Sequence, residues 1–253
     1  MSWSGPILWM LVAVGAWAIL LSLNRRGVRR HEQTGDASRG VIIFVEPVRW
    51  CFIIWGFVQF CRGLRRAGRQ ERILLFRWSN RAGSLLVIPD LARERRLQKK
   101  AQRLARFIEK VAAHHPGSPI HLVGYSTGCY LVLEAVRLCS REVPLRTGIL
   151  LLGSVSPTYD LRPALERLAQ IHSFHSCIDL VNAIGPTLFG SNDRRWGPAC
   201  GAVGFRTELP RFTQHGWEPG DMRWFYFGDH FTVASSRFVA QRIAPLFGDP
   251  GEC

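Results

Sequence analysis

Residues 120–138 read Ile-His-Leu-Val-Gly-Tyr-Ser-Thr-Gly-Cys-Tyr-Leu-Val-Leu-Glu-Ala-Val-Arg-Leu. The first four, apolar apart from His121, are short enough for a buried strand, and the last ten have apolar residues at helical spacing, with Gly124-Tyr125-Ser126-Thr127-Gly128 between them. The expected order is therefore strand, sharp turn, helix. Glycines two before and two after Ser126 fit a tight turn, because a side chain at either place would press on the adjoining strand or helix. Ser126 then stands exposed at a helix N-terminus, where the Thr127 N–H can meet a developing negative charge.

The rest of the chain alternates in the same manner. Residues 41–45 and 73–78 are apolar runs of the kind found in fully buried strands. Residues 147–153, 171–176 and 222–227 are expected to be further strands. Helical spacing covers 93–113, 161–169 and 232–247, and residues 50–61, which carry no charge, read as a buried helix or, alternatively, as one lying on a membrane surface. Strands alternating with helices imply a mostly parallel sheet with helices on both faces. The 93–113 helix has a basic stripe, read as a solvated face in preference to an anionic-surface contact.

Residues 6–23 contain no charge and as a helix extend about 27 Å, close to the ~30 Å of a bilayer core. Arg25, Arg26, Arg29 and Arg30 follow, while no Lys or Arg precedes, so the positive-inside rule puts the N-terminus outside and the remainder in the cytoplasm. The competing reading is export after cleavage of a signal peptide near Ala16-Trp17-Ala18, against which stand the missing basic n-region and the continuation of the apolar run. The expected organisation is an anchor over 1–24, a basic linker over 25–40 and a single globular domain over 41–253.

The formal charge of +14 rests on 33 basic residues, all but Lys99, Lys100 and Lys110 being arginine. No nucleic-acid-binding signature accompanies it, and anionic lipid is the better partner beside an anchor. Seven cysteines, an odd number without a CxxC pair, indicate neither a disulfide framework nor a zinc site. No cofactor is signalled.

From residue 41 to 247 the chain resembles the α/β-hydrolase superfamily, serine esterases and lipases included. The carrying features are GYSTG at 124–128 between strand and helix, and the order serine, acid, histidine, each after a strand. The resemblance implies an α/β-hydrolase fold, with Ser126 as nucleophile, Asp179 as acid and His230 as base. Asp193 is the alternative acid, in the turn at 190–195. His215 is the rival base, disfavoured because no strand is expected just before it, and Asp229 is a poor orienter because adjacent side chains diverge. An imidazole is needed to take the serine proton, and a carboxylate to hold its tautomer.

The oxyanion donors implied are the N–H groups of Thr127 and Val48. Here the chain departs from the family, with Glu46-Pro47-Val48 where a His-Gly sequence is common. Proline has no N–H, and a Glu46 carboxylate facing the site would oppose an oxyanion. No lid domain fits between residues 153 and 161, while the Gly-, Pro- and aromatic-rich residues 180–221 are expected to form the rim of an acyl pocket. The implied substrate is an ester, thioester or lipid with an apolar acyl part. Acyl transfer by the same residues and a catalytically silent binding or scaffold fold are the alternatives.

Overall fold

The computed structural model describes residues 4–49, 52–79 and 94–248. The start of the helix expected over 50–61, nearly all of the loop expected over 79–91, the first residue of the helix expected over 93–113, and Cys51 and Cys253 lie outside those residues.

Among the described residues six strands make one sheet, in the order β2-β1-β3-β4-β5-β6. They are β1 (Asp36–Val45), β2 (Glu71–Phe76), β3 (Ile120–Tyr125), β4 (Leu145–Leu151), β5 (Gln170–His175) and β6 (Phe212–Gly216). Every neighbouring pair is parallel. Parallel strands need covered crossovers, which explains their continuous apolar runs. Val41, Ile43 and Val45 of β1 pack on one face against Leu97, Leu104 and Ile108 of α3 (Glu94–His114). Ile42 and Phe44 pack on the other against Phe57, Phe60 and Leu64 of α2 (Phe57–Arg66). The basic residues of α3 face solvent apart from Lys100, which is buried with its ammonium 4.5 Å from the Trp78 ring centroid. From β1 the chain steps to β2 on one side and, through β3, towards β6 on the other. Crevices outside the carboxyl ends of strands at such a reversal are where open α/β sheets bind ligands.

Five expectations need correction. The helix expected over 161–169 is only the four residues of α5 (Arg162–Leu165). The helix expected over 232–247 is a succession of short 3₁₀, α and π segments from Thr232 to Phe247. The last strand is not 222–227 but β6, and residues Pro219–Trp224 form a 3₁₀ helix. His215 thus belongs to a strand. Its ring stacks on Phe174 at 4.6 Å and its Nε2 lies 3.2 Å from His172 Nδ1, away from Ser126. The helix expected over 50–61 begins only at Phe57, after Gly56 turns the chain at φ 76°, and runs on to Arg66. Finally, helix α1 (Ser4–His31) does not stop at Leu23. Its part from Ile7 to His31 is long and apolar enough to cross a membrane, but its last turns dock on the domain. Leu21 and Val28 are buried there, and Asn24 exchanges two hydrogen bonds with the Ile54 backbone, both 3.1 Å. Since β1 starts at Asp36, the segment expected as a linker contains a helix end and a strand start.

Candidate active site

Ser126 lies between β3 and α4 (Thr127–Leu138) at φ 54° and ψ −121°, a conformation that non-glycine residues avoid. The two glycines permit it. A Cβ on Gly124 would come 2.6 Å from Cys129 Cα, and one on Gly128 would come 2.5 Å from the Val45 carbonyl oxygen of the neighbouring strand. Strain at one serine, held by close backbone packing on both sides, presents its hydroxyl at the carboxyl end of the sheet.

Asp179 follows β5 and caps α6 (Leu180–Phe189), accepting from the Asn182 N–H at 3.2 Å. Its buried carboxylate also meets His230 Nδ1, at 2.9 Å from Oδ2 and 3.1 Å from Oδ1. A carboxylate only accepts, so Nδ1 carries the proton and Nε2 is left as the basic nitrogen. His230 is held from behind as well, because the Tyr125 hydroxyl donates to its carbonyl oxygen. The other acid is elsewhere engaged: Asp193 accepts from the Ser156 N–H at 2.8 Å, the Ser156 hydroxyl at 2.5 Å and the Ser191 hydroxyl at 2.7 Å. Asp229 caps the start of the closing helical segment at Phe231 and Thr232.

Glu46 turns away from Ser126. Its buried carboxylate accepts from Arg49 at 3.0 Å and from the Trp78 and Ser79 N–H groups at 3.1 and 3.2 Å, tying the end of β1 to that of β2. Burial raises its pKa, and the Arg49 guanidinium opposes that rise. The N–H groups of Thr127 and Val48 make no hydrogen bond to other described residues. Both residues border a cavity of about 550 Å³ that Ser126 and His230 also line. One wall is α6, through Val181, Gly185, Pro186 and Phe189, and another is Trp55 with Phe231. The expected rim is thus supplied by the first part of the 180–221 segment. The remainder forms α7 (Cys200–Val203), β6 and the 3₁₀ helix.

The model of the alpha/beta hydrolase family matches residues 45–249, most of the chain. The chain belongs to the alpha/beta hydrolase family. Among solved structures, a lipase-esterase related protein from Clostridium acetobutylicum superposes with a TM-score of 0.50 at 14% identity, over 85% of this chain and 97% of that one. A serine hydrolase from Xanthomonas campestris, described as having no lid, gives 0.49 at 17% identity over 79% of each chain. At such identities the likeness is one of fold. No sequence among curated proteins matches.

In this alpha/beta hydrolase one part of the site carried no motif. Asn182 Nδ2 donates to the Leu152 carbonyl and to Asp179 Oδ2, both at 2.8 Å, which directs its Oδ1 towards Ser154. The Ser154 hydroxyl donates to that oxygen at 2.8 Å, so its one proton is committed. At 3.1 Å from Ser154 Oγ, the Ser126 hydroxyl must therefore be the donor. In this arrangement the Ser126 proton points at Ser154, not at His230. A serine in a short loop and an asparagine in a first helical turn give no periodic signal, and only their convergence marks them.

Proposed function

We propose that the chain is a membrane-anchored serine hydrolase that cleaves an ester, thioester or lipid acyl bond through an acyl-serine intermediate. The observation that carries this reading is the Asp179–His230 pair, 2.9 Å apart, whose histidine lines one apolar-walled cavity together with a strained Ser126. His230 Nε2 takes the Ser126 proton as Oγ attacks the acyl carbon, and Asp179 stabilises the imidazolium. The tetrahedral oxyanion accepts from Thr127 N–H, at the start of the twelve-residue α4, and from Val48 N–H. His230 returns the proton to the leaving group, which departs. Water then adds to the acyl-serine, giving a proton to His230, and as the intermediate collapses to release the acid His230 returns that proton to Ser126 Oγ. No metal or organic cofactor enters these steps. α1 supports the anchor, and the arginines after Leu23 support a cytoplasmic domain.

A catalytically silent binding fold is favoured by one observation, the Ser126 proton directed at Ser154. Catalytic hydrogen bonds commonly close only around substrate, so this geometry is compatible with an enzyme at rest. Labelling of the detergent-solubilised chain by a fluorophosphonate separates the two. Labelling that disappears in both Ser126→Ala and His230→Ala is expected of the hydrolase, and a folded wild type that stays unlabelled would leave the binding fold. Transfer of the acyl group to an alcohol uses the same residues and is read by offering glycerol as a competing acceptor.

A further inference from the structure

Helix α6 has two apolar stripes. Val181, Gly185 and Phe189 face the cavity, whereas Leu180, Ile184 and Leu188, four residues apart and so on one line, are 65, 52 and 59% exposed. Beyond the Trp55–Phe231 wall, Phe225 and Phe227 are nearly half exposed and border a second groove with Trp55 and Phe231. Contiguous exposed apolar surface around the rim of a cavity marks a docking face.

The way α1 meets the domain identifies what covers it. Trp17 packs edge-on against Phe52, with ring centroids 6.0 Å apart, and Gly27 lies against Val58. Trp17 is six residues inside the end of the charge-free stretch at Leu23, which is about 9 Å along a helix. With that stretch in the hydrocarbon, Phe52 lies at or below headgroup level. Ile54, bonded to Asn24, and Trp55, packed on Phe231 at 5.3 Å, continue directly from Phe52 into the cavity wall. An arginine accompanies the aromatic rim, Arg237 lying 4.7 Å from the Phe225 ring centroid, and Arg223 lies 4.1 Å from the ring centroid of the adjacent Trp224. Aromatic rings with arginine beside them suit the boundary between acyl chains and anionic headgroups.

We propose that this rim docks on the bilayer that holds α1, with Leu180, Ile184 and Leu188 in its interfacial layer, so that the cavity opens onto lipid and takes a membrane-resident acyl lipid. The substrate part rests on the hydrolase reading, and the docking part does not.

The test uses the full chain in phosphatidylcholine–phosphatidylglycerol vesicles, with a nitroxide on Leu188→Cys and with Cys51, Cys177 and Cys253 replaced by serine. Collisions of the nitroxide with oxygen exceeding those with an aqueous nickel chelate are expected. Nickel-dominated collisions in a chain that resists carbonate extraction overturn the docking, whatever the activity. In parallel, the triple variant Leu180→Glu, Ile184→Glu, Leu188→Glu is compared with wild type on p-nitrophenyl acetate in solution and on 4-methylumbelliferyl oleate in the bilayer. At least a tenfold fall in the oleate-to-acetate ratio is expected, and an unchanged ratio overturns entry from lipid. Failure of Ser126 to react with fluorophosphonate would remove the hydrolase reading and leave the collision result standing.

Discussion

Replacing Ser154 by alanine is expected to speed the reaction of Ser126 while weakening the fold. The direction follows from proton accounting. Ser154 donates to Asn182 Oδ1 and is the acceptor for Ser126, so Ser126 must leave a hydrogen bond before it can turn to His230. A neutral hydrogen bond of this kind contributes about 1 kcal/mol net, and removing it lowers the barrier by up to that amount, a factor of about five in rate. The same change strips buried Asn182 Oδ1 of its donor. An unsatisfied buried acceptor costs roughly 1–3 kcal/mol, and a domain of this size loses about 2–4 °C of Tm for each kcal/mol. The assay is the pseudo-first-order rate of fluorophosphonate labelling at pH 7.5, measured beside thermal unfolding followed by Trp fluorescence. The reasoning is refuted if a folded Ser154→Ala labels ten or more times slower than wild type, because Ser154 would then assist Ser126 instead of holding it at rest.

Asp179→Asn keeps the shape of the pair but no longer fixes the proton on His230 Nδ1, and labelling should slow by roughly 10⁴-fold. Asp193→Asn, which alters only the turn bonds to Ser156 and Ser191, should label within a few-fold of wild type. Gly128→Ala drives a Cβ against the Val45 carbonyl and should cost roughly 1–3 kcal/mol in chemical unfolding, with loss of labelling as the turn shifts. Burial lowers the pKa of His121 and His172 from 6.5 to about 4, with nearby positive charge adding to the shift at His121 and His215 at His172. Their depressed folded-state values mean that the unfolded chain binds more protons in this range. Stability is therefore full above pH 6.5 and declines as pH falls towards 4, and urea midpoints between pH 7.5 and 4.5 should follow that course, less steeply in His121→Phe.

Much of the site could be read without the structure because its determinants are local or sequential. The turn at Ser126 needs glycine on both sides, and buried parallel strands need unbroken apolar runs, so β1, β2, β3, β4 and β5 stand out within a few residues of their ends. β6 could not be read in this way. It is an edge strand pairing only with β5, none of its five residues Phe-Thr-Gln-His-Gly is fully buried, and a strand covered so incompletely has no need of an apolar run. Residues 222–227 misled for the converse reason, since Met222, Phe225 and Phe227 are apolar yet exposed, the two phenylalanines along the second groove, rather than packed in the sheet.

The sequence by itself determined the parallel α/β architecture, the strained serine turn and the order of Ser126, Asp179 and His230, because periodicity and steric need at single residues are written along the chain. Tertiary structure alone decided that Asp179 and not Asp193 meets His230, that Glu46 is drawn off by Arg49 and the end of β2, and that Ser154 and Asn182 join the site. It also decided that the end of α1 docks on Phe52, Ile54 and Val58, beside the Trp55 wall of the cavity. Each of these depends on which groups converge across strand ends far apart in the chain, and a hydrogen bond formed over such separations leaves no local pattern from which it can be read.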